Sequence, residues 1–258
     1  MRVESFEPSA QIRPFVRAIR VIESDTALVA APLPEPGLVL GVRYGGRARL
    51  VEDGAARALP AALLTGIKPA LRRIHTEAGG GLVLAVFEAG GAARFFDGSL
   101  YELFGEIVDL VDLTTRQEID RLQTRLAEAR TRAARAALLD AYLCSRPGER
   151  PADTLVLAAA SAIRASAGTL RITSLSERLG LSVDRFEKRF RHAVGASPKQ
   201  LASIVRFRHA LASYTPGLRL TQLAHDAGYF DQSHLIREFR AFTGLTPREF
   251  LRSPDYWG

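Results

Sequence analysis

The chain has 258 residues, 47 % of them apolar, and one cysteine: enough length for two domains with a core each, and too few thiols for an intramolecular disulfide. It contains no run of eighteen apolar residues, and Met1-Arg2-Val3-Glu4 leads into a mixed polar segment without a signal-peptide core, which predicts a cytoplasmic protein with no membrane partner. Charge is divided unevenly: residues 151–258 hold 15 Lys+Arg against 9 Asp+Glu, and residues 1–150 hold 20 against 19, so the carboxy-terminal portion is the one suited to a polyanion.

From the amino terminus, β-rich runs bounded by Gly and Pro recur at Val16 to Ile22, Leu38 to Tyr44, Ala48 to Glu52, Leu63 to Ile67, Leu71 to Thr76 and Leu82 to Glu88. In the second run Leu38, Leu40, Val42 and Tyr44 alternate with Val39, Gly41 and Arg43, the period of a strand with one buried face. Short strands punctuated in this way predict a small β-barrel or sandwich over residues 1–112. Helical patterns follow at Ala92 to Phe96, at Leu100 to Val108 and over 115–143. Within 113–146, Ile119, Leu122, Leu126 and Ala129 form one apolar stripe and Ala134, Leu138 and Ala141 a second. Such stripes suit a homodimer seam, and they suit equally well two helices that pack on their own barrel. Residues 147–153, in the stretch Ser145-Arg146-Pro147-Gly148-Glu149-Arg150-Pro151, read as a linker to a helical domain over 154–258.

That last domain holds one pattern twice. Arg171-Ile172-Thr173-Ser174-Leu175-Ser176-Glu177-Arg178-Leu179-Gly180 is followed by Val183, Phe186, Phe190, Arg191, Gly195 and Pro198. It returns as Arg219-Leu220-Thr221-Gln222-Leu223-Ala224-His225-Asp226-Ala227-Gly228 with Leu235, Phe239, Arg240, Gly244 and Pro247. The copies run 48 apart up to the first glycine and 49 apart after it, so the second carries one extra residue in its turn. Each copy, about 172–195 and 220–244, predicts a short helix, a glycine turn and a longer basic helix, the helix-turn-helix layout that lays its second helix in the major groove of double-stranded DNA. Ser176 and Ala224, four residues before the turn glycines, leave room for the partner helix. In the first long helix Val183, Phe186, Phe190 and Ala193 form the inner stripe, which leaves Asp184, Glu187, Lys188 and Arg191 outside. In the second, Leu235, Phe239 and Phe242 face inward, leaving Gln232, Ser233, Ile236, Arg237 and Arg240 outward; Gln, Ser and Arg all hydrogen-bond base edges.

Residues 155–252 resemble the DNA-binding domain of the AraC/XylS family of bacterial transcription regulators, most closely over Ile236-Arg-Glu-Phe-Arg-Ala-Phe-Thr-Gly-Leu-Thr-Pro-Arg-Glu-Phe250. The resemblance implies seven helices in two lobes joined by a long helix, here Pro198 to about Tyr214, entered through Ser197-Pro198 and stopped at Pro216-Gly217. It places base reading on Asp184, Glu187 and Lys188 in the first unit and on Gln232, Ser233, Ile236 and Arg237 in the second. Two acids in the first set depart from the usual pattern, and suggest either contacts to cytosine amino groups or a unit whose affinity rests on Arg185, Arg189 and Arg191. Leu59-Pro60-Ala61 to Gly66 and Phe87-Glu88-Ala89-Gly90-Gly91-Ala92-Ala93-Arg94-Phe95-Phe96 resemble an amino-terminal domain common in uncharacterised AraC-type proteins. This implies an α+β chain: a cupin-like barrel that binds a small effector, flanking helices that dimerise, and an all-α tandem helix-turn-helix domain. RNA polymerase is a further partner such a regulator would meet.

Enzymatic readings find little support. A metal-binding cupin needs several histidines and a carboxylate on one ion, and His75 is the only histidine before residue 192. No phosphate loop, Gly-x-Ser-x-Gly elbow or Cys-His pairing occurs, so neither a catalytic residue nor a metal or other cofactor is expected. Cys144, in an apolar run, reads as a packed hydrophobe rather than the acceptor of an alkyl-transfer repair protein. Arg43, Arg73 and His75 are candidates to clamp an anionic effector inside the barrel. The alternative to a ligand-responsive regulator is a constitutive DNA binder whose barrel is structural.

Overall fold

The computed structural model describes residues 1–252 apart from 53, 147, 149, 150 and 216. Among the described residues ten strands come first: β1 (Arg2–Phe6), β2 (Val16–Ser24), β3 (Leu28–Ala30), β4 (Val39–Gly45), β5 (Ala48–Glu52), β6 (Ala55–Ala58), β7 (Ala62–Thr65), β8 (Arg73–Thr76), β9 (Gly80–Phe87) and β10 (Ile107–Asp109). They pair antiparallel in two sheets, β1-β2-β9-β4-β7-β10 and β3-β8-β5-β6. The chain crosses between the sheets at β2–β3, β3–β4, β4–β5, β6–β7, β7–β8 and β8–β9, so the amino-terminal portion is a two-sheet roll.

All six β-rich runs are strands. The strands β1, β3 and β6 go unannounced in the sequence because each is short or an exposed edge, with no buried face to leave an alternation. The helix expected from Leu100 to Val108 is corrected: a single 3-10 turn covers Leu100–Leu103, and β10 then pairs with β7, Val108 opposite Leu64. Tertiary pairing overrides a weak local helical preference there. The expected helix at Ala92 to Phe96 is likewise one 3-10 turn, Gly91–Arg94.

The alternation along β4 separates two environments. Leu40 and Val42 pair beside Leu64, Ala62, Val83 and Ala85 and belong to the core covered by helices α1 (Arg116–Glu128) and α2 (Arg132–Cys144). Tyr44 confirms the direction of this face, since the Arg135 guanidinium of α2 lies 4.4 Å from its ring centroid and its hydroxyl donates to Glu23 at 2.9 Å. Gly41 points the other way, where a Cβ would meet Leu63, Leu82 and Leu84, and Arg43 shares that face.

Helices α1 and α2 pack on this roll. Ile119, Leu122 and Leu126 are buried against it, as are Ala136, Leu139 and Leu143. Of the two readings open for these helices, the first stripe thus follows packing on the roll. The second stripe lies a quarter-turn from the buried one: Ala134 and Ala141 are exposed and Leu138 half-buried. Thr115 and Thr131 cap the two helices by accepting from Glu118 and Ala134 N–H.

Seven helices follow among the described residues: α3 (Thr154–Ala165), α4 (Ile172–Arg178), α5 (Val183–Val194), α6 (Pro198–Ser213), α7 (Leu220–Asp226), α8 (Gln232–Thr243) and α9 (Pro247–Phe250). The repeated Gly-x-Ser/Thr-Pro stretches are stop-and-start signals. Gly195 and Gly244 end α5 and α8 at φ +83° and +74°, and Ser197 and Thr246 open α6 and α9 with capping boxes completed by Gln200 and Glu249. Pro216, named in the sequence as part of the stop after α6, lies outside the described residues, as do Pro147, Glu149 and Arg150 of the expected linker. Gly148 is pinned, its N–H donating to Arg94 O at 2.7 Å.

One contiguous buried cluster joins the roll, α1–α2 and the helices beyond. Gly90 of the roll faces Leu157, Val194 and Val156, and a Cβ on Gly195 would stand 2.9 Å from Leu100 O. Leu71 N–H donates to Phe242 O at 2.8 Å, Arg164 to Glu88 at 2.6 Å and Arg208 to Pro34 O at 3.1 Å.

Candidate nucleic-acid interface

The two helix-turn-helix units form as the spacing requires. Ser176 and Ala224 are buried at the helix crossings, and Gly180 and Gly228 take φ of +65° and +75°, which side-chain-bearing residues adopt at a cost. Leu181 N–H reaches back to Ser176 O at 3.0 Å and Tyr229 N–H to Ala224 O at 2.8 Å, so both short helices close with the same six-residue cap. Ser182 and Asp231 then cap α5 and α8 by accepting from Arg185 and His234 N–H.

Each long helix buries the aromatic stripe read from its sequence. Phe186 and Phe190 stack edge to face at 5.5 Å in the first lobe, and Phe207 of α6 contacts Phe239 and Phe242 at 4.9 and 4.6 Å in the second. Val183 departs from expectation: it is 37 % exposed, because it is the first helical residue after the cap and lies beyond the edge of the core.

The outward residues divide by what holds them. In α5, Asp184, Arg185 and Lys188 are exposed, and no hydrogen bond or ion pair ties their side chains among the described residues. Glu187 pairs with Arg191 at 2.7 Å rather than with Lys188. The Arg191 guanidinium also lies 5.6 Å from the Tyr101 ring of the roll, and Arg189 donates two hydrogen bonds to Asp153, at 2.5 and 2.9 Å. Both arginines, placed by sequence among the phosphate contacts, are therefore engaged within the chain. Asp153 caps α3 through Val156 N–H. Burial alone would raise its pKa, but the hydrogen bonds from Arg189 and that N–H outweigh burial and hold the carboxyl below its ordinary range.

In α8 the outward set stands clear. Ser233, Arg237 and Arg240 are exposed, Gln232 and Ile236 are half-buried, and no intramolecular hydrogen bond or ion pair fixes the Arg237 side chain among the described residues. The inward-facing acid, Glu238, is taken by Arg206 of α6 at 3.0 Å and by Ser203, a strut between the connecting helix and the second unit. Neither Asp153 nor Tyr101 could be named from sequence, since each meets its arginine only across the folded chain.

The three candidate effector residues do not converge. On β8, Ile74 lies opposite Leu50 and points inward, while Arg73 and His75 are exposed on the other face. Strand period two puts them in solvent. Of the three, Arg43 alone is buried, 7 % exposed; its backbone bonds Ala61 and Gln123, its guanidinium has no hydrogen bond or ion pair among the described residues, and burial lowers its pKa. Among the described residues no group of three or more His, Cys, Asp or Glu is placed to hold a metal, and no helix is long and apolar enough to cross a membrane. Cys144 is half-buried, its Sγ 3.6 Å from Asp140 Oδ2 and 3.5 Å from Ser9 Oγ, neighbours that do not activate a thiolate.

Residues 175–253 match a family model described as a helix-turn-helix domain. No curated protein matches the chain in sequence. Among solved structures, ToxT from Vibrio cholerae is similar over 97 % of this chain and 98 % of that one, at 10 % identity and a TM-score of 0.49. The same protein with an unsaturated fatty acid bound is similar over 97 % of both chains, at 13 % identity and 0.49. The AraC-like transcriptional activator CuxR is similar over 84 % of this chain and 89 % of its own, at 15 % identity and 0.27. Likeness at such identities and scores runs along the chain without bearing on what this protein binds.

Proposed function

From the helix-turn-helix match over residues 175–253 and the AraC-type signature in the sequence, we propose that the protein is a transcriptional regulator that reads DNA sequence with α8, positions itself with α5, and answers to a small molecule held in the roll. One observation carries the division of labour. Among the described residues Arg237 of α8 has no hydrogen bond or ion pair, whereas two of the four cations on α5 are spent on Asp153, Glu187 and Tyr101. Free guanidinium groups on the outer face of a recognition helix form bidentate contacts to guanine, while paired ones lose part of that capacity to their internal partners. On α5 the charges left for phosphate are Arg185 and Lys188.

The sensor half of the proposal rests on Arg43. A guanidinium on the face where Gly41 meets Leu63, Leu82 and Leu84 loses part of its hydration with no anion paired to it among the described residues, so a carboxylate with an apolar body would match both its charge and its surroundings. Homodimerisation would use the outer face of α2, where Ala134, Leu138 and Ala141 remain accessible.

The experiment is selection of bound duplexes from a random pool by the full chain. A recovered consensus supports sequence reading, and its absence refutes it. Thermal melting against a panel of aliphatic and aromatic carboxylates tests the sensor: a ligand should raise the melting point of the natural chain and not of Arg43→Ala. A panel that shifts neither leaves the roll as a structural element.

A further inference from the structure

The one-residue difference between the two units is located by their caps. Because Leu181 N–H closes on Ser176 O and Tyr229 N–H closes on Ala224 O, Tyr229 is the counterpart of Leu181. The residue gained is therefore Phe230, directly before the α8 cap Asp231. Tyr229 takes the buried place, 5 % exposed, with its ring edge to face with His234 at 5.2 Å and the Arg206 guanidinium 5.1 Å from its centroid. Phe230 is pushed out of the turn and is 93 % exposed.

A phenyl ring left in water forgoes the gain of burial, and nothing in the fold recovers it. Two large exposed apolar side chains lie in the carboxy-terminal domain among the described residues, Val183 and Phe230, and both flank the cap of a recognition helix. That end of such a helix is the one that meets base edges. The ring carries no donor or acceptor, and the apolar group that base pairs offer in the major groove is the thymine methyl.

We propose that Phe230 is a specificity residue of the DNA interface, packing on the 5-methyl group of one thymine while Gln232, Ser233 and Arg237 read neighbouring bases. This rests on the reading of α8 as the base-reading helix. The inserted residue gives the second unit a discrimination that the first, without it, lacks.

The test uses the full chain and an operator selected from random duplexes, with each thymine replaced singly by deoxyuridine so that only the methyl is removed. At one position the replacement should weaken binding by the natural chain about three- to tenfold, the scale of one buried methyl against an aromatic ring. Phe230→Ala should weaken the thymine operator by a similar factor, be indifferent to deoxyuridine at that position, and keep its melting point and its affinity for random DNA. Phe230→Leu should recover part of the discrimination. Phe230→Ala binding the operator as the natural chain does would overturn the proposal. So would a loss that is equal on thymine and deoxyuridine operators at every position, which would assign the ring to the backbone or to a protein partner. If the natural chain selects no consensus at all, the reading of α8 fails and takes this proposal with it, a result distinct from a consensus that is indifferent to Phe230.

Discussion

Arg237 and Arg189 carry the same charge on equivalent long helices, yet their surroundings differ. Arg237 is exposed and unpaired on α8, so Arg237→Ala should cost about 1–3 kcal/mol on the preferred operator and relax one base position, with random DNA little affected. Competition binding against single-base operator variants measures this, and a uniform loss on all sequences would count against base reading. Arg189 already donates twice to Asp153. Its replacement by Ala should leave the salt dependence of DNA binding unchanged, where a lost phosphate contact would lower the slope by about one unit. What it should change is acid stability. The Asp153 carboxyl is held below its ordinary range, so it contributes stability that is present above the unfolded pKa of about 4 and lost as pH falls through the folded value. Chemical denaturation from pH 6 down to pH 2 should therefore show a shallower acid limb in Arg189→Ala.

At the scale of elements, the helices α1 and α2 show how one periodicity serves two ends. Leu122 and Leu126, 4 % and 0 % exposed, face the roll rather than a partner. Leu126→Ala should therefore destabilise the fold by about 2–5 kcal/mol through the lost contacts and the cavity left behind. Leu122→Glu and Leu126→Glu together should unfold the amino-terminal portion rather than yield folded monomers, as circular dichroism and light scattering would report. Ala141→Glu, on the exposed face of α2, is the substitution that should leave the fold intact and dissolve a dimer built there. An unchanged mass in solution would place the interface on another element. The apolar spacing of α1 was plain in the sequence, but a stripe records only that something covers it. Which surface does so depends on where β4 carries Leu40 and Val42, residues about 80 positions away.

For the whole molecule, the roll and the DNA-binding helices share one core and meet along α3, α5, α6 and α8. Arg208 of α6 reaches Glu35, which also takes Arg17 and Arg20 at 3.3 Å for the latter, so the connecting helix is tied to the roll by a shared carboxylate. A fragment from residue 151 onward keeps α3 to α9 and most of the net positive charge. It should bind random DNA with the salt slope of the full chain and melt several degrees lower, because Val156 and Val194 lose the cover of the roll. A fragment as stable as the intact chain would mean that this contact contributes nothing to the fold.

The sequence by itself determined the duplicated units, the turn glycines, the Ser197-Pro198 entry to the connecting helix and the buried aromatic stripes, because each is a property of neighbours a few residues apart whose spacing follows from backbone geometry. It also showed that the second turn holds one residue more than the first. Only the tertiary structure decided which cations remain free for DNA. Arg189 meets Asp153 across 36 residues and Arg191 meets Tyr101 across β10 and α1 to α4, and no periodicity records such pairings. The same holds for Arg43, buried while Arg73 and His75 are not, and for Phe230, whose exposure follows from Tyr229 having filled the one buried place available. Local geometry is repeated along the chain and can be read from it; the choice of partner depends on distances that exist only after folding.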